Sequence, residues 1–167
     1  GRPMIGRRVV ITGAGIVSAV GLGREAFGAA LYADRRAFPE VVRFDTEGTG
    51  RTLAAEIPDF DPAPWLRSPK NYLDRHAALS FAACEMAVRE SRLALPRSDL
   101  RPGVSLGSAA GSLDSLALFG EKLREKGPRL APPFLFPHTY DNTTASLLAM
   151  EYGLGGPHGC FASGGTA

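Results

Sequence analysis

The stretch YGLGGPHGCFASGGTA, residues 152 to 167, decides the fold class. Gly153 follows an apolar segment from Thr143 to Tyr152 and closes it as a helix, because glycine accepts the left-handed backbone that a helix end requires. His158 to Ser163 then reads as a strand, and Gly164-Gly165-Thr166-Ala167 turns it toward what should be another helix. Helix, strand and turn in that order form the unit of a layered α/β fold.

The same alternation repeats toward the N-terminus. Gly103 to Gly107 reads as a short buried strand, and Asp114 to Lys126 as an amphipathic helix stopped by Gly127-Pro128. Between them and the last helix, Pro132 to Pro137 forms an extended apolar segment. A long helix is expected from Ser68-Pro69 to about Leu93: serine caps free N–H groups, and proline tolerates the first helical position. Pro58, Pro62, Pro64 and Pro69 surround Trp65, which predicts a surface path with one aromatic anchor. Arg24 to Arg35 reads as a helix, and Val41 to Asp45 and Arg51 to Glu56 as short edge strands. Arg7 to Thr12 (RRVVIT) is a β-branched run expected to form a buried strand entering the Gly13-Ala14-Gly15 turn. The expectation is one layered α/β domain with a mixed sheet over residues 4 to 167, and Gly1-Arg2-Pro3 before Met4 reads as a cloning scar.

Composition narrows the function classes. A chain of 167 residues has the length of one ordinary domain. Hydrophobic residues at 44% and charged residues at 22% are globular values, and no run approaches the ~20 apolar residues that spanning a bilayer requires. The net charge of +2 is spread without a basic block, so neither nucleic acid nor a membrane is an implied partner. Cys84 and Cys160 lie in apolar runs without the spacing of a disulfide framework or a metal site, which suits a reducing cytoplasm.

Gly13-Ala14-Gly15 invites comparison with a dinucleotide-binding turn, so a Rossmann-like nucleotide-binding domain is one alternative. Gly21 and Gly23 delay the following helix, Ser18 replaces the third glycine, and Asp45 lies too far along to serve as the ribose acid. His76 is expected as a satisfied core or interface residue. His138 could face a cavity or the surface, and His158 begins the last strand. No triad is legible.

The opening VVITGAGIVSAVG, KNYLDR at 70 to 75, GVSLGSAAG at 103 to 111, KGPRLAPPFLFP at 126 to 137, Asn142 with Ala145, and YGLGGP at 152 to 157 occur in one order along the chain. Together they resemble the N-terminal half of a β-ketoacyl synthase, a condensing enzyme of the thiolase-like fold. The resemblance implies a nucleophilic cysteine eight residues after Pro157, at a strand-to-helix turn that favours a thiolate. Here that position is Gly165. Glycine offers no thiolate, so covalent catalysis at this position is closed. Cys160 lies five residues early, inside the strand, and is expected to be a buried structural thiol. The two histidines of the family chemistry belong to the C-terminal half.

A synthase-like subunit lacking the cysteine resembles the chain length factor, the inactive partner of an active ketosynthase in type II polyketide or fatty-acid-like biosynthesis. That resemblance implies a heterodimer, substrates carried on the phosphopantetheine of an acyl carrier protein, a separate C-terminal portion as a further partner, and no cofactor or metal of this chain's own. It also implies tunnel-lining residues at Ala110, Leu113, Leu116, Leu135, Phe136 and Thr139. The dimer interface would lie on His158, Gly159, Cys160, Phe161, Ala162 and Ser163. A fragment of an active synthase, or one bearing an engineered cysteine-to-glycine change, would leave the same trace at Gly165.

Overall fold

A computed structural model of the chain describes residues 8 to 96, residue 99 and residues 101 to 164. Its spine is helix α2, Arg75–Ser91. Asp74 caps it, Oδ1 accepting the His76 N–H at 2.8 Å, and Arg92 closes it in the left-handed region. Ala77, Ala78, Phe81, Ala82 and Glu85 face inward, and the small side chains let α4, Thr143–Tyr152, lie close beside it. Phe81, Leu148 and Tyr152 form the buried centre, with Leu66, Leu73, Val88, Leu95 and Val104 packed around them. Full burial of each such side chain contributes roughly 1.5–3 kcal/mol.

Strand β3, Val104–Gly107, pairs parallel with β4, His158–Phe161, in the register Val104 with His158 through Gly107 with Phe161. Parallel neighbours need a crossover. Helix α3, Leu113–Lys126, and then α4 provide it. The two strands enter side by side because Gly103 and Gly156 lack side chains: a Cβ on either would overlap the opposite backbone at Pro157 O or Arg101 O. An antiparallel hairpin of β1, Val17–Ser18, and β2, Gly21–Leu22, precedes α1, Arg24–Tyr32. Parallel and antiparallel pairing thus coexist, in two separate two-stranded sheets among the described residues and not in one mixed sheet.

Four expectations are corrected. Val9, Val10 and Ile11 form no strand and are 94%, 65% and 91% exposed. Among the described residues no strand lies beside them, and a β-branched run alone cannot satisfy its backbone; the expected first residue, Arg7, lies outside the described residues. The two edge strands near 41–45 and 51–56 reduce to one bridge, Glu40 with Leu53, flanked by Val41 N–H to Thr52 O at 2.8 Å. Ser68 caps no helix, because its hydroxyl is committed to Glu151 at 2.9 Å, and α2 starts seven residues later at Arg75. Pro132–Pro137 is not extended: Leu135 N–H reaches Pro132 O at 3.2 Å, and a 3-10 turn runs over Phe136–Thr139. Residues 1 to 3 lie outside the described residues.

Candidate functional site

The site expected from the sequence lies where β4 ends, beside the β3–α3 turn and the linker into α4. Gly165 itself lies outside the described residues. Cys160 is on β4 opposite Leu106, and its thiol donates to the Asp141 carbonyl at 3.3 Å. Burial and the neighbouring Asp141 push this thiol up from its ordinary value, so Cys160 is held as a thiol and not as a nucleophile. Cys160 lies inside the strand as expected but is half-buried, short of the buried thiol the sequence suggested.

The β3–α3 turn is fixed at both ends. Ser108 N–H donates to Phe161 O at 2.9 Å, and Gly111 N–H donates to Ser108 Oγ at 2.8 Å. Ala110 sits exposed between these anchors. The six residues expected to line a tunnel do not share one wall. Leu113 and Leu116 are 57% and 50% exposed along α3. Phe136 leans on Phe119 with ring centroids 5.6 Å apart and meets Tyr140 edge-on at 5.3 Å, while Thr139 Oγ1 donates to Phe136 O at 2.7 Å. Leu135 alone turns inward, lining a cleft of about 390 Å³ with Tyr72, Leu118, Lys122, Lys126, Pro132 and Phe134. Sequence reasoning did not single out Leu118 or Tyr72, because only the fold brings α3 against the 132–135 turn.

A second cluster was also missed. Buried Asp74, besides capping α2, accepts the buried Ser115 hydroxyl at 2.7 Å and its N–H at 3.3 Å. Ser115 Oγ meets Tyr72 OH at 2.8 Å, and the His138 ring stands edge-on to Tyr72 at 4.8 Å. The one available signal was KNYLDR itself, whose aspartate sits where α2 begins. The remaining histidines have other partners: His76 Nδ1 lies 3.2 Å from Thr144 Oγ1 across the α2–α4 contact, and His158 Nε2 lies 3.0 Å from Leu154 O.

The glycine turn is a packing device. A Cβ at Gly13 or Gly15 would overlap the backbone of α2 at Ala87 O or Ala83 O, so the segment crosses that helix with nothing between them. The Ala14 N–H, where a pyrophosphate oxygen would be sought, is taken by Glu90 Oε2 at 2.6 Å. Helix α1 does not begin until after Gly23 at φ 82°. A dinucleotide cradle needs free N–H groups at a helix start within the glycines, so the Rossmann-like alternative loses its motif.

The segment expected at an interface is β4 from His158 to Phe161; the strand ends before Ala162 and Ser163, which follow it in an irregular, exposed path. Among the described residues one edge of β4 pairs with β3 and no strand lies on the other. Phe161 is 58% exposed, and its ring folds back over Gly159, where a Cβ would come within 3.2 Å of it.

Residues 6–164 match the family model for the β-ketoacyl synthase N-terminal domain. The 3-oxoacyl-[acyl-carrier-protein] synthase 2 of Rhizobium meliloti (strain 1021) is 34% identical over 164 residues, covering 91% of this chain and 38% of the relative. The enzyme of the same name from Vibrio harveyi is 32% identical over 154 residues, again 91% of this chain and 37% of the relative. The chain therefore spans somewhat over a third of these relatives' length. Among solved structures, the ishigamide ketosynthase/chain length factor superposes with a TM-score of 0.76 at 31% identity, covering 93% of this chain and 40% of that one. A β-ketoacyl synthase from Burkholderia phymatum STM815 gives 0.75 at 31% identity, over 91% of this chain and 38% of that one. With the strand pairing, the close glycine crossings and the motif order all in agreement, the chain belongs to the β-ketoacyl synthase family and carries the thiolase-like α/β fold of its N-terminal domain.

Proposed function

We propose that this chain is a non-catalytic, chain length factor-like subunit that pairs with an active ketosynthase and helps shape the tunnel receiving a growing acyl chain. The observation that carries the reading is Gly165 at the nucleophile position, eight residues after Pro157. Decarboxylative condensation needs a thiolate to hold the acyl group as a thioester, and glycine has no atom for that bond. Cys160 does not replace it, since its thiol is raised and bonded to Asp141 O. The likeness to a ketosynthase/chain length factor structure supports the same reading. Substrates then reach the pair on the phosphopantetheine of an acyl carrier protein, and this chain contributes a wall, with no cofactor of its own.

A second reading has its own support: the curated relatives named above are 3-oxoacyl-[acyl-carrier-protein] synthases. On that reading the chain is part of an active enzyme, or of one whose cysteine has been replaced. Labelling tests the non-catalytic site, and the encoding frame separates the two readings. Labelled malonyl- or acyl-carrier protein is incubated with the chain and an active ketosynthase, and covalent label is located by intact mass. Label confined to the partner supports the proposal; label on this chain overturns it. The length of the encoding frame and the codon at Gly165 then identify a fragment or a replaced cysteine.

A further inference from the structure

Three anchors converge on the turn that carries Ala110. Buried Ser108 is tied to β4 through its N–H, and buried Gly111 is tied to the Ser108 hydroxyl. The third anchor comes from the linker between the 3-10 turn and α4. Gly111 has φ 57°, and a Cβ built there would overlap Asp141 Oδ1, with Asp141 Cγ at 2.8 Å behind it. Asp141 is itself tethered, its carbonyl accepting the Cys160 thiol at 3.3 Å. One residue thus has its backbone joined to β4 and its carboxylate laid against the Cα of Gly111. Asp141 is otherwise exposed.

We infer that Asp141 is a positioning residue: its planar carboxylate wedges the Gly111 hinge and sets how far Ala110 projects, and with it the length of acyl chain the tunnel accepts. Glycine is needed at 111 for two reasons that agree, the left-handed backbone and the space the carboxylate occupies. A turn held only by Ser108 could pivot at that glycine, and Asp141 removes this freedom. The inference rests on the proposed role of this chain in shaping the tunnel, with Ala110 among the lining positions that the family resemblance implies.

The test uses the full chain co-expressed with an active ketosynthase and its carrier protein, with product lengths read by mass spectrometry and assembly by light scattering. Asp141→Gly should lengthen the products by at least one extension unit, and Asp141→Asn, which keeps the planar shape, should retain the original distribution. Gly111→Ala should shorten the products, and the pair Gly111→Ala with Asp141→Gly should move back toward the original, because removing the carboxylate vacates the space the added methyl needs. If Gly111→Ala does not fold, the contrast between Asp141→Gly and Asp141→Asn decides alone. An Asp141→Gly variant indistinguishable from the parent, or an Asp141→Asn variant shifted equally, overturns the inference. Ala110→Phe run in parallel locates the failure: a shift there with none at Asp141 removes only the wedge, and no shift at either removes the tunnel reading with it.

Discussion

Tyr152, at the end of α4, donates its hydroxyl at 2.9 Å to Glu85, in the middle of α2, and both side chains are buried. The other valences of that carboxylate are filled by Arg67 Nε at 3.1 Å and Arg89 Nε at 2.9 Å. The Arg67 guanidinium lies 4.3 Å above the Tyr152 ring centroid, so the aromatic face and the buried acid share one cation. Such a cluster adds little over an apolar replacement when complete, but removing one member leaves buried polar groups without partners.

Tyr152→Phe should therefore cost about 1.5–3 kcal/mol, the range for a hydrogen bond to a charged acceptor. Glu85→Ala should cost more than Tyr152→Phe, because it leaves the buried phenol without an acceptor and also removes the carboxylate that joins Arg67 and Arg89, although both arginines are partly exposed and keep carbonyl partners. Urea denaturation followed by circular dichroism checks both, and a neutral Tyr152→Phe would mean that water replaces the hydroxyl at Glu85.

The same acid gives a pH dependence with a definite sign. Burial opposes ionisation of Glu85, but the Tyr152 hydroxyl, Arg89 and Arg67 outweigh it and hold the carboxyl below its ordinary value of 4.5. Glu151 behaves alike: burial opposes the charge, while Lys70 at 2.6 Å, the Ser68 hydroxyl and the N–H groups of Arg67 and Ser68 more than offset it. A folded value below the unfolded one means that the stabilisation is fully present above about 4.5 and is lost as pH falls through that value toward the lower folded ones. Unfolding free energy should hence decline with acidification in that window, and Glu151→Gln should flatten the decline while lowering stability near neutrality. An unchanged slope in Glu151→Gln would remove this acid from the account.

What the sequence made legible were the elements set by local chemistry. Helix α3 stops at Gly127 and α4 at Gly153, both with positive φ, and β3 and β4 fall within two residues of their expected ends. The failures were non-local. Val9 to Ile11 has strand chemistry but no described strand beside it, and Ser68-Pro69 has cap chemistry but a stronger partner in Glu151, 83 residues away. The site divides in the same way. Gly165 was found by counting along the chain, whereas Asp141 against Gly111 is a contact across 30 residues, in a linker without periodicity, and no local pattern announces it.

The two cysteines should be poor nucleophiles near neutrality. Burial pushes up the Cys84 thiol, and burial with Asp141 pushes up Cys160. Both should alkylate with iodoacetamide more slowly in the folded chain than in a urea-unfolded control, and the gap should narrow as pH rises. Peptide mass spectrometry measures each site. Faster reaction of Cys160 in the folded state would reopen it as a candidate nucleophile.

The second edge of β4 should be where the partner binds. Phe161 is large, 58% exposed and adjacent to backbone that no described strand pairs on that side. Backbone pairing gives register, and a central aromatic supplies a disproportionate share of affinity. Phe161→Glu should weaken the heterodimer by about 2 kcal/mol or more, roughly thirtyfold. Light scattering of the co-expressed pair checks this, and an unchanged complex would place the interface elsewhere.

Ala110 gives the prediction closest to the product. It occupies the middle of a turn held by Phe161 O on one side and by Ser108 Oγ on the other, so a larger side chain there cannot be accommodated by sliding the turn along β3. Its own side chain is the smallest that still has a Cβ, and it is exposed, which leaves open space where a tunnel would end. Because Ala110 is exposed, a larger side chain there fills open space and not a packed core, so it costs the fold little while taking room from the acyl chain. Ala110→Phe and Ala110→Trp should accordingly shorten the products of the reconstituted synthase, Trp more than Phe, with assembly and thermal unfolding close to the parent. Shorter products at preserved assembly support Ala110 as part of the wall that measures the chain. An unshifted distribution from a well-folded Ala110→Trp would show that the acyl chain never reaches this turn.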